Sequence, residues 1–438
     1  MADIRRLPNG SRVRSKTELT PYTDDPPVMR AYIEAYGCTL NFGEARELEE
    51  MLAGLGWDIV SDPSGCDLAV LVTCVVIETT EKAMMRRVQE LSSVPKLIIT
   101  GCMATACRAK AERAAPAALF VAPGDFDSFR EAVGDQVDSA RMLEDKSACA
   151  IVPIASGCRG SCAYCITRIA RGQLRSRLPE RVRSSVAKAV ERGRMEIQLT
   201  AQDTAAYGAD VGTDLPSLVG EICGLEHDFR LRVGMMNPSS ALPVLDSLCE
   251  MYQRPKVFKF LHLPVQSGDD GILERMGRGY TVDDFTRIVR RVRDAAPRLT
   301  LSTDLIVGYP VEDEDAHRRN MDLVRSAQPD IVNVTRFSPR PGTRAAAEGP
   351  KVPGWKAKER SRELTALRFE VSLRRNESWV GRECRALATE RGKAESTIFR
   401  TDEYKQVVVP ERLRLGAYSL LRVTEARPTY LMGEVSHS

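Results

Sequence analysis

The chain has 438 residues, 43% of them hydrophobic, which is enough to bury a large core divided among two or three domains. Its formal net charge is only +3, which excludes a strong overall attraction to polyanions. The charge is uneven, because residues 351–438 carry 18 Lys and Arg against 12 Asp and Glu. The C-terminal part is therefore the candidate nucleic-acid surface, with an ordinary solvated basic face as the alternative.

The first 27 residues mix Arg, Asp, Pro and Thr without an apolar segment, so they predict neither a signal peptide nor a membrane anchor. We interpret residues 1–29 as a mobile tail. The longest apolar run, residues 68–77, is too short to span a bilayer. Twelve cysteines without a secretory signal favour reduced thiols and metal binding over disulfides, so we expect a cytoplasmic location and no membrane partner.

A first domain is predicted over residues 30–135. Its three strand-like runs each end at a cysteine and alternate with helical patterns: 32–36, 68–73 and 97–100. This alternation predicts an α/β fold with a doubly wound parallel sheet, in which the C-terminal ends of the strands share one edge. Such a sheet would gather Cys38, Cys74 and Cys102 at that edge, although buried cysteines are also common in α/β cores.

The segment 156–165 brings Cys158, Cys162 and Cys165 together within eight residues. Three thiolates on a short loop can hold three corners of a 4Fe-4S cubane and leave the fourth iron open for chemistry. A structural zinc ion takes four ligands, and neither a second Cys-x-x-Cys nor a His-x-x-x-His follows. A zinc knuckle completed by Cys149 or a distant histidine is the alternative.

A second domain is predicted over residues 145–370 from six strand-like segments separated by helical stretches: 150–154, 196–199, 230–233, 257–261, 300–307 and 331–336. Six repeated units predict a partial (β/α)6 barrel with its site at the C-terminal ends of the strands. The cysteine loop follows the first strand, as that rule requires. Polar residues near other strand ends are further candidates, or ordinary loop residues: Gln202, Asp203, Arg232, His262, Gln266 and Asp304.

Four arginines follow the cysteine loop: Arg168, Arg171, Arg175 and Arg177. Beside a reactive site they predict a patch that contacts RNA phosphates, whereas on a solvated helix they would be unremarkable.

A third domain is predicted over residues 376–438, where five short strands are punctuated by Gly and Pro: 382–389, 397–400, 406–409, 418–426 and 431–435. This pattern predicts a small antiparallel β-barrel of the oligonucleotide-binding kind. Arg400, Tyr404 and Lys405 would then contact phosphate and a base face. The alternative is a barrel that only stabilises the enzyme.

The Cys-x-x-x-Cys-x-x-Cys spacing, with Tyr164 before the last cysteine, resembles the signature of radical S-adenosylmethionine (SAM) enzymes. The resemblance implies that Cys158, Cys162 and Cys165 bind a 4Fe-4S cluster whose open iron is chelated by SAM, and that Tyr164 packs beside the SAM adenine. It also implies that the strand at Glu196 and the segment with His262 and Gln266 line the SAM site. Gln202, Arg232 and Asp304 are further SAM-site candidates because of their positions at strand ends. Arg232 could pair with the SAM carboxylate.

The wide spacing of Cys38, Cys74 and Cys102 resembles the N-terminal domain of methylthiotransferases, where three such cysteines carry a second, auxiliary 4Fe-4S cluster. One departure is Val72, at a place where the family usually has Asn. Segments 36–41, 171–176 and 338–343 are also similar to this family, and segment 399–407 resembles a TRAM domain, which binds tRNA. All three domains match in order.

The phrases at 36–41, 170–172 and 199–208 are most similar to the archaeal and eukaryotic branch of tRNA methylthiotransferases. The resemblance implies insertion of a methylthio group at C2 of N6-threonylcarbamoyladenosine, at tRNA position 37, with two 4Fe-4S clusters and two SAM molecules. It further implies an electron donor resembling flavodoxin or ferredoxin, and leaves the sulfur source open.

Other substrates and functions stay open at this point. Within the family they are isopentenyladenosine in tRNA and an aspartate of a ribosomal protein. Outside it they are a radical SAM enzyme without sulfur insertion and a non-catalytic iron-sulfur RNA-binding protein. Six cysteines receive no role from the sequence: Cys66, Cys107, Cys149, Cys223, Cys249 and Cys384.

Overall fold

The computed structural model of the chain describes residues 29–134 and 147–436. The predicted tail over 1–29 lies outside the described residues, except for Met29. The described parts contain, in chain order, a parallel sheet, a partial barrel made of two half-sheets and a small closed barrel. This order confirms the predicted α/β fold class.

The N-terminal domain contains a five-stranded parallel sheet. Its strands are β1 (Arg30–Ala35), β2 (Asp58–Val60), β3 (Leu68–Thr73), β4 (Lys96–Gly101) and β5 (Leu119–Phe120). Its helices are α1 (Thr39–Gly54), α2 (Glu78–Leu91), α3 (Cys102–Ala106), α4 (Arg108–Ala114) and α5 (Phe126–Val133). The spatial order is β2-β1-β3-β4-β5. The edge strands β2 and β5 escape sequence prediction because three and two residues are too few to show a period.

Helices cover both faces of this sheet, and all six residues of β3 are therefore buried. Val70 and Val72 pack against α1 and α5 on one face, while Ala69 and Leu71 pack against α2, α3 and α4 on the other. This arrangement confirms the doubly wound sheet. It also brings the C-terminal ends of β1, β3 and β4 to one edge.

The central domain has six parallel strands and a short antiparallel pair. The parallel strands are β6 (Cys149–Pro153), β9 (Glu196–Thr200), β10 (Arg230–Val233), β11 (Phe260–His262), β12 (Thr300–Val307) and β13 (Ile331–Arg336), and the pair is β7 (Ala155–Ser156) with β8 (Arg175–Ser176). The helices are α6 (Thr167–Arg171), α7 (Pro179–Glu191), α8 (Leu215–Cys223), α9 (Pro238–Ala241), α10 (Leu245–Gln253), α11 (Asp270–Met276), α12 (Val282–Ala295), α13 (Glu314–Ala327) and α14 (Gly354–Glu377).

The six parallel strands form two half-sheets, β6-β9-β10 and β11-β12-β13, joined by the bridge between Leu231 and Val257. Within the described residues the barrel stays open between β6 and β13. This order confirms the predicted partial (β/α)6 barrel. Helix α12 begins with a capping box, in which Thr281 and Asp284 each accept a hydrogen bond from the backbone N–H of the other.

The C-terminal domain is a closed five-stranded barrel around Trp379, Phe399 and Leu421. Its strands are β14 (Glu383–Arg391), β15 (Thr397–Thr401), β16 (Gln406–Val409), β17 (Tyr418–Ala426) and β18 (Leu431–Val435). The barrel confirms the prediction of a small β-barrel. The predicted all-antiparallel pairing is wrong at one seam, because β16 and β18 are parallel.

The C-terminal barrel is seated on the N-terminal ends of the central strands. Tyr404 packs between Phe258 and Phe260, with ring centroids 4.9 Å apart in both pairs. The Lys405 Nζ donates to Asp330 Oδ1 at 2.7 Å, just before β13 begins. This contact closes the end of the central barrel that lies opposite the cysteine loop. Among the described residues, we find no helix with the length and apolar character needed to cross a bilayer.

Candidate functional site

The cysteine loop projects from the C-terminal end of the central barrel, between β7 and α6. Pairing of β7 with β8 closes the base of the loop. Gly157 allows this closure, because its φ is +77° and a Cβ there would lie 1.9 Å from the Gln173 carbonyl oxygen. Gly160 donates its N–H to Cys158 Sγ at 3.2 Å, and a Cβ on Gly160 would lie 3.7 Å from Cys162 Sγ. The two thiols therefore converge on Gly160.

Two arginines hold the loop in this shape. Arg168 donates to the carbonyl oxygens of Cys158 and Gly160 at 3.1 and 2.9 Å. Arg278 donates to Cys162 Sγ at 3.2 Å and to the Pro264 carbonyl at 3.1 Å. Arg168 thus binds the loop through one nitrogen, and its predicted RNA contact stays a prediction. Arg278 was not predicted, since no sequence pattern ties it to a cysteine more than a hundred residues away.

One thiol of the loop, that of Cys158, is buried enough to hold its proton at neutral pH. Burial raises the pKa of Cys158 to about 11, and the neighbouring Asp203 adds to the effect. Within the described residues, no three metal-binding side chains are grouped as they would be around a single ion. Three thiolates could hold three corners of a 4Fe-4S cluster, whereas a structural zinc ion would need a fourth ligand from outside the loop.

The floor of the loop carries polar groups that could hold SAM. Buried Asp203 accepts hydrogen bonds from the Asn237 N–H at 2.9 Å and the Ser240 hydroxyl at 2.7 Å. Next to it, Gln202 Oε1 is buried and has no hydrogen-bond partner in the described structure. Unpaired polar atoms at this depth are costly unless a ligand or water satisfies them. The site therefore fits a polar cofactor such as SAM.

The opposite wall carries a further polar group. His262 Nε2 lies 3.2 Å from Asp304 Oδ1, and the Asn333 side-chain amide donates to the same oxygen at 2.7 Å. Burial would raise the pKa of Asp304, but these two hydrogen bonds outweigh burial and lower it. Gln266 has φ +72° and is fixed by the Asp304 carbonyl at 2.8 Å. Tyr164 is half-buried beside the cysteines, next to an apolar cluster.

Glu196 lies elsewhere, and its predicted place in the SAM site is corrected. It is the first residue of β9, at the end of the barrel opposite the cysteine loop. Its carboxylate accepts hydrogen bonds from the Tyr404 hydroxyl and the Gln198 amide, both at 2.7 Å. The Arg232 guanidinium is stacked between Phe260 and Tyr404, at 4.9 and 5.4 Å from their ring centroids. Glu196 is thus an anchor for the C-terminal barrel.

The three N-terminal cysteines meet at one edge of the sheet, as the topology requires. Cys38 caps α1, Cys74 follows β3 and Cys102 begins α3. A Cβ on Gly37 would lie 2.9 Å from Cys74 Sγ, so the two loops touch. Burial raises the pKa of the Cys102 thiol to about 12, and Cys74 and Cys38 are both near enough to raise it further.

Asn41 joins two of these loops, and sequence reasoning did not single it out. Its side-chain amide donates to the carbonyl oxygens of Tyr36 and Thr73, at 2.6 and 2.9 Å. These carbonyls stand immediately beside the turns that carry Cys38 and Cys74. The Val72 side chain, by contrast, is fully buried in the apolar layer beneath α1.

Gly101 determines where Cys102 stands, and we expect Gly101→Ala to displace it. Gly101 has φ +78° and ψ −164°, and a Cβ would lie 2.5 Å from the Thr73 carbonyl oxygen. Such a backbone conformation costs a residue with a side chain about 1–3 kcal/mol, before the clash is counted. The midpoint temperature of thermal unfolding and the iron content after reconstitution should both fall. Gly54→Ala, at a helix end with open space, is the control and should change neither.

A row of acidic residues on α1 pairs with arginines of the central domain. Glu44, Glu47 and Glu50, each three residues apart, bind Arg171, Arg177 and Arg192 at 2.5, 2.5 and 3.0 Å. The arginine side chains are 0%, 28% and 50% exposed, so the row runs from the core to the surface. The prediction that Arg171 and Arg177 contact RNA phosphates is therefore corrected, because both are engaged between domains.

Of the other residues predicted to contact RNA, one is exposed and three are largely engaged with other protein groups. Arg175 is exposed, next to the cysteine loop. Arg400 is 18% exposed, pairs with Glu390 at 3.3 Å and lies over the Tyr404 ring. Tyr404 and Lys405 are only 9% and 7% exposed and bind the central barrel, so their predicted base and phosphate contacts are corrected to an interdomain role.

The chain is similar to known proteins of the class that this geometry indicates. Residues 152–324 match the model of the radical SAM superfamily, and residues 30–122 match uncharacterized protein family UPF0004. The structure is similar to a radical SAM methyltransferase, TsrM, from Kitasatospora setae, with a TM-score of 0.53 and 13% identity over 73% of this chain and 77% of that one. The fold and the cysteine loop define a radical SAM enzyme, which uses a 4Fe-4S cluster and SAM.

Two curated relatives identify the family of radical SAM enzymes to which the chain belongs. The probable threonylcarbamoyladenosine tRNA methylthiotransferase of Pyrococcus abyssi is 41% identical over 93% of this chain and 100% of its own length. The threonylcarbamoyladenosine tRNA methylthiotransferase of Danio rerio is 30% identical over 98% of this chain and 82% of its own length. The chain belongs to the threonylcarbamoyladenosine tRNA methylthiotransferase family.

Proposed function

We propose that this chain inserts a methylthio group at C2 of N6-threonylcarbamoyladenosine, at position 37 of tRNA, using two 4Fe-4S clusters and two SAM molecules. The observation that supports the proposal is that two sets of three cysteines lie close to each other. Cys38, Cys74 and Cys102 meet at one sheet edge, and α3, which begins at Cys102, packs directly on α6 just beyond Cys165. Two sites with three thiols each are thereby brought side by side.

When bound, the clusters and SAM would supply the electron, the hydrogen abstraction and the sulfur transfer that an unactivated aromatic C–H bond requires. Acid-base side chains cannot provide this chemistry, because such a bond has no useful pKa. Cys158, Cys162 and Cys165 would hold one cluster and the three N-terminal cysteines the other. Arg168 and Arg278 keep the loop in shape, and the C-terminal barrel closes the far end of the central barrel to water.

Asp203 and Asp304, on the floor of the loop and the wall opposite, would offer SAM and the substrate fixed hydrogen-bond acceptors. Asp203 is held by two hydrogen bonds, and the lowered pKa of Asp304 keeps its carboxylate charged at neutral pH. Both carboxylates can accept hydrogen bonds without moving. We further propose a flavodoxin- or ferredoxin-like electron donor, because the reaction consumes electrons that no side chain of the described residues provides.

The test is anaerobic reconstitution with iron and sulfide, followed by reaction with SAM, reductant and tRNA containing threonylcarbamoyladenosine. Digested nucleosides are read by mass spectrometry, and we expect the mass of one methylthio addition. If 5′-deoxyadenosine appears while the nucleoside stays unchanged, the substrate assignment is wrong, and isopentenyladenosine tRNA and the ribosomal-protein aspartate come next. Binding of tRNA without SAM cleavage would instead support a non-catalytic RNA-binding protein.

A further inference from the structure

Arg171 is the innermost arginine of the row that joins the two cysteine-bearing domains. Its side chain is fully buried and binds both Glu44 oxygens, at 2.5 and 2.8 Å. It also donates to Asn41 Oδ1 at 2.8 Å and to the Ser156 hydroxyl at 3.1 Å. A buried guanidinium with this many partners is held in one orientation.

These partners belong to both cysteine sites. Asn41 bridges the turns of Cys38 and Cys74, as described above. Ser156 stands two residues before Cys158, and Arg171 itself ends α6, the helix that follows Cys165. A single side chain therefore connects the two predicted cluster-binding regions through direct hydrogen bonds.

Arg171 also places a positive charge beside the N-terminal thiols. Its Nε is buried and has no hydrogen-bond partner in the described structure. Arg171 donates to the same Asn41 Oδ1 that lies 3.8 Å from Cys38 Sγ. A fixed cation beside an iron-sulfur cluster favours the reduced, more negative state and so raises the reduction potential.

We propose that Arg171 is a positioning residue that sets the reduction potential of the auxiliary cluster and fixes the cluster against the radical SAM loop. The inference rests on the proposed auxiliary cluster held by Cys38, Cys74 and Cys102. It goes beyond that function, because it assigns control of one cluster to a side chain supplied by the domain of the other.

The test begins with a chain in which Cys158, Cys162 and Cys165 are all replaced by alanine, so that only the auxiliary cluster can form. We expect about four irons per chain after reconstitution. Into this background go Arg171→Lys, which keeps the positive charge, and Arg171→Gln, which removes it. Glutamine keeps an amide donor for Glu44 and Asn41. Urea unfolding of each apoprotein confirms that the variants fold.

The decisive readout is the midpoint potential of the cluster, followed by electron paramagnetic resonance during reductive titration. We expect Arg171→Gln to titrate at a more negative potential than the background chain, and Arg171→Lys to lie between the two. Arg192→Met, at the exposed end of the same row, is the matched control and should leave the potential unchanged. An unchanged potential in Arg171→Gln, with iron bound, would overturn the inference alone. A background chain that binds no iron would overturn the auxiliary cluster as well.

Discussion

Replacing Asp330 with asparagine is expected to lower the free energy of unfolding by about 3–5 kcal/mol, the cost of breaking a buried ion pair. Asp330 Oδ1 accepts hydrogen bonds from Lys405 and Arg375, both at 2.7 Å, and Oδ2 accepts from the Leu301 N–H at 2.9 Å. Asparagine keeps the shape but not the charge. It leaves Lys405, only 7% exposed, without a carboxylate between the C-terminal and central barrels.

The effect should depend on pH in a defined direction. Burial would raise the pKa of Asp330, but Lys405 and Arg375 outweigh it and lower the pKa. A carboxyl group with a folded pKa below its unfolded value of about 3.9 stabilises the fold fully above that pH. This contribution is lost as the pH falls through the folded pKa. The difference between wild type and Asp330→Asn should therefore narrow in acid.

Urea unfolding at neutral and acid pH measures both effects. The control is Asp322→Asn, because Asp322 is 63% exposed and pairs with Arg325 one helical turn away. Exposed pairs of this kind contribute about 0–1 kcal/mol, so this variant should unfold almost as wild type does. Equal losses in the two variants would show that the buried contact between the barrels is not what stabilises the chain.

Replacing Cys38 with alanine is expected to abolish methylthiolation while SAM cleavage continues. The change removes one of three thiols at the sheet edge and leaves Cys158, Cys162 and Cys165 intact. An auxiliary cluster reduced to two protein ligands should be lost, so the iron content should fall by about four per chain. Nucleoside mass spectrometry and 5′-deoxyadenosine release separate the two activities.

Cys223→Ala is the matched control, since Cys223 ends α8 on the outside of the central barrel. It should retain both activities and the full iron content. Methylthiolation that survives Cys38→Ala undiminished would contradict the two-cluster mechanism. Loss of SAM cleavage together with the product would instead mean that Cys38 supports the whole fold of the site.

The sequence by itself determined the three-domain α/β architecture and the two sets of cysteines. The strands are marked by local apolar runs, and β10, β12, β13, β16, β17 and β18 have the bounds that these runs predict. The radical SAM loop is equally local, because its three thiols lie within eight residues. The gathering of Cys38, Cys74 and Cys102 follows from topology alone, since parallel strands end at one edge.

Only the tertiary structure decided what the polar side chains do. The sequence does not distinguish an arginine that binds phosphate from one that binds a buried carboxylate. The carboxylate that binds Arg171 belongs to Glu44, which lies 127 residues away along the chain. Tyr404 and Lys405 lie in a segment that resembles an RNA-binding domain, yet their partners Glu196 and Asp330 belong to another domain. Hydrophobic periodicity depends on residues that are neighbours along the chain. The pairing of charges depends instead on which surfaces of the folded domains come into contact.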